Sequence, residues 1–331
     1  MSLNSSQKAA VQQPVPSFRM PEASVLLDRA GMLLVFVGLF VVCSVFVDNF
    51  MSWRNMAGLS LAISMAGMVS CSMLLCIASG NFDLSVGSVI AASGCMAAVV
   101  INLTGSVVIG ILAGLGLGVV VGLINGFVFA KLGINAFITT LATMQMARGF
   151  GYIIAGGKAV GITNSDFFVI GTTYFLGLPT PVWLTLVTFV IFGGLINYTE
   201  FGRNILAIGG NEEAARLAGV PVVRTKIWIF VIHGFMCAVA GVVLASRMTS
   251  GQPMTAIGFE MTAISACVLG GVSLAGGIGK ISYVIAGVLI LGTVENSMNL
   301  LNINPFYQYL VRGVILLAAV IFDRYKRIST V

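Results

Sequence analysis

The polar residues of this chain that could do chemistry are few, and most stand inside long apolar runs. Between residues 136 and 155, Thr139, Thr140 and Thr143 are followed by Gln145 and Arg148. Thr139 and Thr143 are four residues apart and share one helical face. Hydroxyls and amides so placed can bind a neutral, hydroxyl-bearing solute weakly enough to release it again. The competing reading is that these threonines hydrogen-bond their own helix backbone. Asp83 and Glu295 are the acids set close to or within apolar runs, and burying either one unpaired would cost about 2.5–3.5 kcal/mol. Each therefore needs a partner or water. Glu295, with Asn296 and Asn299 on neighbouring faces, is the better candidate to line a route. Asp83, with Asn81 and Ser85, belongs to a polar break at 79–85 and is expected to fix that break.

Catalytic chemistry is not expected. His233 is the sole histidine and offers no chain of proton carriers, so a packed, hydrogen-bonded role is expected. Cys43, Cys71, Cys76, Cys95, Cys237 and Cys267 fall in apolar stretches without metal-ligand spacing and read as small buried hydrophobes, with no disulfide or metal implied. Gly279-Lys280 hints at a phosphate-binding loop, but Leu274 stands where that motif needs glycine and Ile281 where it needs Ser or Thr. No nucleophile with an adjacent base is evident.

The elements that position these residues follow from composition. With 58% hydrophobic residues and only 8% charged, the chain cannot cover a water-soluble surface. It reads as an all-α integral membrane protein, because lipid leaves no water to satisfy an open backbone. About 20 apolar residues cross the hydrocarbon core. On that measure about ten transmembrane helices are expected, at 31–47, 56–79, 86–102, 107–130, 136–155, 181–198, 226–245, 261–274, 281–299 and 308–322. The shorter ones are candidates for tilted, broken or re-entrant segments. A tail at 1–30, a membrane domain at 31–322 that includes a polar loop at 199–225, and a tail at 323–331 complete the division. The net charge of +6 is dispersed singly between spans, with no basic stripe for nucleic acid. Of the 17 Lys and Arg residues, only Arg54, Lys158 and Arg247 fall on the face opposite the one holding Lys131, Arg203, Arg216, Arg224, Lys226 and Lys280. The asymmetry predicts both termini on the cytoplasmic side.

Three further patterns have structural meaning. Gly110, Gly114, Gly118, Gly122 and Gly126 recur every four residues, which predicts a helix stripe open to close backbone approach, chiefly within one subunit. The breaks at 79–85 and 270–280 resemble one another, as interrupted segments in corresponding halves of transporters do, with ordinary tight turns as the competing reading. In the polar loop, Asn211 can cap a short helix carrying Glu212 and Glu213 in its first turn, followed by Ala214, Ala215 and Arg216. Gly219 before Val220-Pro221 can end it. Such a helix on the membrane face can fit a groove on a soluble motor.

The stretch GRNILAIGGNEEAARLAGV at 202–220 resembles the coupling loop of permeases that import monosaccharides and branched-chain amino acids with ATP-binding cassettes. NFDLSVGS at 81–88, NAFITTLATM at 135–144, ASRMTSGQP at 245–253 and LGGVSLAGGIGK at 269–280 resemble that family's other signatures, in order and over nearly the whole chain. GNEEAARLAGVPVVRTK and GTVENSMNLLNINPF are most similar to the family's L-arabinose branch. The resemblance implies a bacterial inner-membrane permease that works by alternating access, with a second copy of itself, cytoplasmic ATP-binding subunits holding ATP and magnesium, and a periplasmic sugar-binding protein. It implies no cofactor on this chain and no enzymatic activity of its own. Arg203, Asn211, Glu212, Glu213, Ala214, Ala215, Arg216 and Gly219 are the residues expected to couple to the ATPase. Lys158, Asp166, Arg247 and Glu260 lie in joints expected to face the binding protein. A permease for ribose or galactose, an ion-coupled transporter and a passive channel are the alternatives.

Overall fold

The computed structural model describes residues 23–328, with side chains described over 31–321. The parts of the expected tails at 1–22 and 329–331 lie outside the described residues. Each of the ten expected segments contains a helix, although the one expected at 261–274 ends at Gly270, where left-handed Gly271 closes it. They are α1 (Ala23–Phe46), α2 (Trp53–Ala78), α3 (Val86–Thr104), α4 (Val107–Ala130) and α5 (Ala136–Ala155), then, beyond the short α6 (Val169–Thr172), α7 (Thr180–Tyr198). After α8 (Glu200–Gly210) and α9 (Glu212–Leu217) come α10 (Val222–Arg247), α11 (Phe259–Gly270), α12 (Ile281–Leu300) and α13 (Phe306–Ile328).

Among the described residues, 6 helices are long and apolar enough to cross a membrane: α2, α3, α4, α7, α10 and α12. Apolar stretches of α1, α11 and α13 are shorter. Helix α5 is continuous over 20 residues, but its threonines, Gln145 and Arg148 make it less apolar than those six. Two small antiparallel strand pairs, Val160–Gly161 with Ser250–Gly251 and Tyr174–Phe175 with Leu178–Pro179, supplement the expected all-helical fold.

Helix α2 runs through the middle of the bundle, with 78% of its apolar stretch buried against 22% for α4. The reason α4 can stay peripheral is its glycine stripe. Its buried residues are Gly110, Gly114, Gly118, Gly122, Asn125 and Gly126, while Leu112, Val120 and Leu123 point outward. A Cβ on Gly118 would collide with the carbonyl oxygen of Gly234, and one on Gly122 with that of Phe230, both on α10. The stripe is packing inside this chain, held by close backbone contact where large side chains have been removed.

The helix ends obey capping chemistry. Ser52, Ser106 and Asn135 accept from backbone N–H groups at the starts of α2, α4 and α5. Gly105 and Gly156, both left-handed, close α3 and α5. Where one short helix was expected between 199 and 225, there are two. Thr199 caps α8 by accepting from Gly202 N at 3.1 Å, and Asn211 both closes α8 and caps α9.

Candidate functional site

Helix α9 is built as expected. Asn211 Oδ1 accepts from Ala214 N at 2.9 Å, and Glu212 and Glu213 occupy the first turn, where carboxylates favour the positive end of the helix dipole. Gly219, at φ 85°, turns the chain towards α10. The two acids differ in their commitments. Lys226 Nζ, buried on α10, donates to Glu212 Oε2 at 2.6 Å and lies 4.6 Å from the Phe129 ring. Arg216 pairs with Glu212 at 3.3 Å and Glu213 at 3.5 Å. Glu213, with its side chain 69% exposed, has room for another chain. Ala215 packs into an apolar patch with Ile208 and Val222, while Ala214 and Leu217 face outward. Arg203 is exposed on α8.

The end of α8 presses on both polar breaks. A Cβ on Gly209 would collide with the Ala78 carbonyl oxygen, and one on Gly276 would stand 2.8 Å from Gly209 Cα. Gly277 N donates to Ala78 O at 2.9 Å. The breaks that resemble one another in sequence thus meet in space, with α8 wedged on them and α9 directly beyond. Only glycine permits three backbones to approach so closely, and Gly276 and Gly277 also adopt left-handed φ.

Beside this junction lies a buried polar cluster. Asp83 Oδ1 accepts from Ser85 N at 2.7 Å and from the Ser85 hydroxyl. Asn125 Nδ2 donates to Asp83 Oδ2 at 3.4 Å and to Ser85 Oγ at 3.1 Å. Thr143 Oγ1 donates to Asn125 Oδ1 at 2.7 Å. The structure therefore links Asp83, Ser85 and Thr143 through an amide that sequence reasoning missed. Its signal was a lone Asn on the glycine face of α4. Asn81 bonds locally, to Ser79 O at 3.0 Å. Thr139 and Thr140 donate to carbonyls of Asn135 and Phe137, and Gln145 faces outward on α5.

Glu295, Asn296 and Asn299 form a separate group. They line a cavity of about 150 Å³ with Thr262, Ile63 and Gly292. That volume is below the range of about 300–1,000 Å³ typical of drug-sized sites and suits only a small solute. Arg312 donates to Glu295 Oε1 from Nη2 at 2.6 Å and from Nε at 3.0 Å. Asn296 exchanges amide hydrogen bonds with Asn55 at 2.8 and 3.0 Å, and Gln308 donates to Asn299 at 2.7 Å. Asn55, Thr262 and Gln308 were missed, since their partners are distant in sequence or across a turn.

His233, Arg148 and the cysteines lie outside both groups. His233 Nδ1 lies 2.8 Å from Ser72 Oγ, fully buried. Arg148 donates to the carbonyls of Pro253 and Thr255 at 2.7 and 2.8 Å, tying α5 to the segment before α11. The six cysteines are free and buried. Among the described residues no cluster of His, Cys, Asp and Glu could hold a metal ion.

Known proteins resemble this chain in sequence over most of its length. The chain is 70% identical over 300 residues to the L-arabinose transport system permease protein AraH of Escherichia coli strain K12, covering 91% of this chain and 92% of that one. It is 49% identical over 302 residues to the L-arabinose ABC transporter permease protein AraH of Azospirillum brasilense, covering 91% and 89%. The ribose import permease protein RbsC of Bacillus subtilis strain 168 is 41% identical over 296 residues, covering 88% and 92%. Residues 55–320 match the family described as branched-chain amino acid transport system / permease component. The chain belongs to that permease family.

Proposed function

We propose that this chain is the membrane-spanning permease subunit of an ATP-driven L-arabinose importer, carrying the sugar across the bacterial inner membrane by alternating access. The 70% identity to an L-arabinose permease, against 41% to a ribose permease, supports the choice of sugar. One structural observation carries the mechanism: α8 lies by glycine contact on both polar breaks, with α9 directly beyond it. A push on α9 is thereby delivered to backbone that is already non-helical and free of side-chain bulk.

In this reading ten spans place both termini in the cytoplasm, and two copies of the chain work together. ATP and magnesium sit in separate cytoplasmic subunits that engage α9 through Glu213 and the outward face of Ala214. Asn211, Glu212, Ala215, Arg216 and Gly219 hold that helix in place, and Arg203, exposed on α8, belongs to the same coupling surface. A periplasmic sugar-binding protein docks at the opposite end, around Lys158, Asp166, Arg247 and Glu260. The cavity of Glu295, Asn296, Asn299 and Thr262 is the sugar-facing site, because carboxylate and amide oxygens and N–H groups match a ring of hydroxyls. Asn81, Asp83, Ser85 and Thr143 set the break against α5. Ion coupling is the poorer reading, since Glu295 is paired to Arg312 and Asp83 to Ser85 and Asn125.

The test is ATP hydrolysis and sugar accumulation in proteoliposomes holding this permease with its ATP-binding partner, supplied with binding protein loaded with L-arabinose, D-ribose or D-galactose. Stimulation by the arabinose-loaded protein with sugar accumulating inside is the expected result. Stimulation by ribose alone would reassign the sugar, and accumulation without ATP would overturn the mechanism.

A further inference from the structure

A second cavity is separate from the sugar-facing one and shares a single residue, Arg216, with the coupling helix of the transport reading. It is an open groove of about 810 Å³ between the last turns of α4 and the first turns of α10. Leu123 and Ile227 line its apolar length, and Lys131, Arg216 and Arg224 stand at its mouth. No carboxylate is among the described residues that line it. Lys131 is exposed, with Nζ 5.5 Å from the Phe127 ring. Arg224 is also exposed and, among the described residues, forms no ion pair with the chain. Trp228, 48% exposed, sits beside them, and an indole with one apolar and one polar side is suited to headgroup depth. The apolar length continues into the outward face of α4, where Val120 and Ile124 are exposed.

An apolar trough that ends in three cations complements one kind of ligand: a long apolar body with an anionic head. We propose that this groove binds an anionic phospholipid, with its phosphate on Lys131, Arg216 and Arg224 and an acyl chain along Leu123 and Ile227. Guanidinium and ammonium groups are the usual phosphate donors. A free phosphate has no use for the apolar length, and a zwitterionic lipid brings a cation to a cationic mouth. Arg216 belongs to α9 and already pairs with Glu212 and Glu213. The headgroup therefore competes with those two acids for one guanidinium, so that lipid occupancy bears on how α9 is held.

The experiment uses the permease assembled with its ATP-binding partner in nanodiscs of phosphatidylcholine containing about one fifth phosphatidylglycerol. Native mass spectrometry after release counts the lipids that stay bound. Phosphatidylglycerol is expected to be retained over phosphatidylcholine by on the order of tenfold, and the K131Q/R224Q double variant is expected to lose that preference. Arg54→Gln, at the opposite end of the bundle, keeps it. An unchanged preference in K131Q/R224Q, or equal retention of the two lipids by the parent, overturns the proposal. So does loss of the ATP-binding subunit from the double variant with lipid retention intact, which would make the groove a protein-docking surface. Lipid retention is read without sugar, so failure here leaves the transport reading standing.

Discussion

Asp83 and Glu295 are acidic side chains within this bundle whose surroundings are opposites. Asp83 is 1% exposed and is met by neutral donors only: the Ser85 backbone and hydroxyl, and the Asn125 amide. Glu295 is half-buried, faces Arg312 and borders a cavity. The first carboxylate is fastened at the start of α3, where the helix dipole favours negative charge, with no space for anything else. The second is held by a cation whose two donors converge on one oxygen, Oε1. A fully enclosed, multiply bonded acid serves to fix backbone, whereas a half-open one beside free volume can exchange partners.

The largest expected effect follows from removing the enclosed acid. Asp83→Ala leaves the Ser85 N–H and hydroxyl without their acceptor, and the Asn125 amide with Ser85 Oγ alone, in a site closed to water. Each unsatisfied buried group costs about 1–3 kcal/mol, so the loss should reach about 3 kcal/mol or more. The measurement is thermal unfolding of the detergent-purified permease. A melting temperature equal to the parent's would mean that Asp83 does not fix the break and would erase the contrast with Glu295.

Asn125→Ala comes next, at about 1–3 kcal/mol, because Thr143 and Ser85 each lose one partner while Asp83 keeps its bonds to Ser85. Its expected signature is a lower melting temperature accompanied by a proportionate loss of folded protein. Sugar transport per folded molecule should hold. If transport per molecule collapses while stability survives, the cluster belongs to the sugar route after all.

The two sites also differ in how legible they were. The ten apolar segments, the α4 glycine stripe and the capped helix from Asn211 to Gly219 are all local patterns, carried by spacing within a few turns. The split of the polar loop into α8 and α9 was not readable, because Thr199 caps a new helix directly after α7 and the glycine that the corner needs, Gly202, stands inside the first turn of α8 rather than at the turn itself. Asp83 and Ser85 could be assigned to a break from their neighbours alone. Asn125 could not, since its partners are 40 and 42 residues away and the register of α4 against the break is set by which glycines admit another backbone. The Asn55–Asn296 exchange spans 241 residues, beyond any pattern within one helix.

Glu295→Gln tests the half-open site. The amide oxygen can still accept from Arg312, so stability should fall by only about 1 kcal/mol. If the cavity is sugar-facing, L-arabinose uptake should fall on the order of tenfold, the equivalent of about 1.4 kcal/mol in a binding or barrier term. Uptake by proteoliposomes with the partner subunits decides it, together with the melting curve. Full uptake in this variant would make Glu295–Arg312 a structural pair like the enclosed one.

The smallest effect is expected on α5. Thr139 and Thr140 donate their hydroxyls to carbonyls of their own helix, bonds that add little because those carbonyls already accept from the backbone or sit in the first turn. Replacing a threonine by valine keeps the branched shape and removes only the hydroxyl. The double variant Thr139→Val/Thr140→Val should therefore change stability by less than about 0.5 kcal/mol and leave uptake within twofold of the parent. Thr143 is the internal contrast: it faces the same way as Thr139 but also reaches Asn125, so Thr143→Val should cost about 1 kcal/mol more than the other two together. If the Thr139/Thr140 variant instead lost most of its uptake with its melting temperature unchanged, the hydroxyls would have to leave the backbone and meet sugar in another state of the cycle. The route would then run along α5 as well as past Glu295.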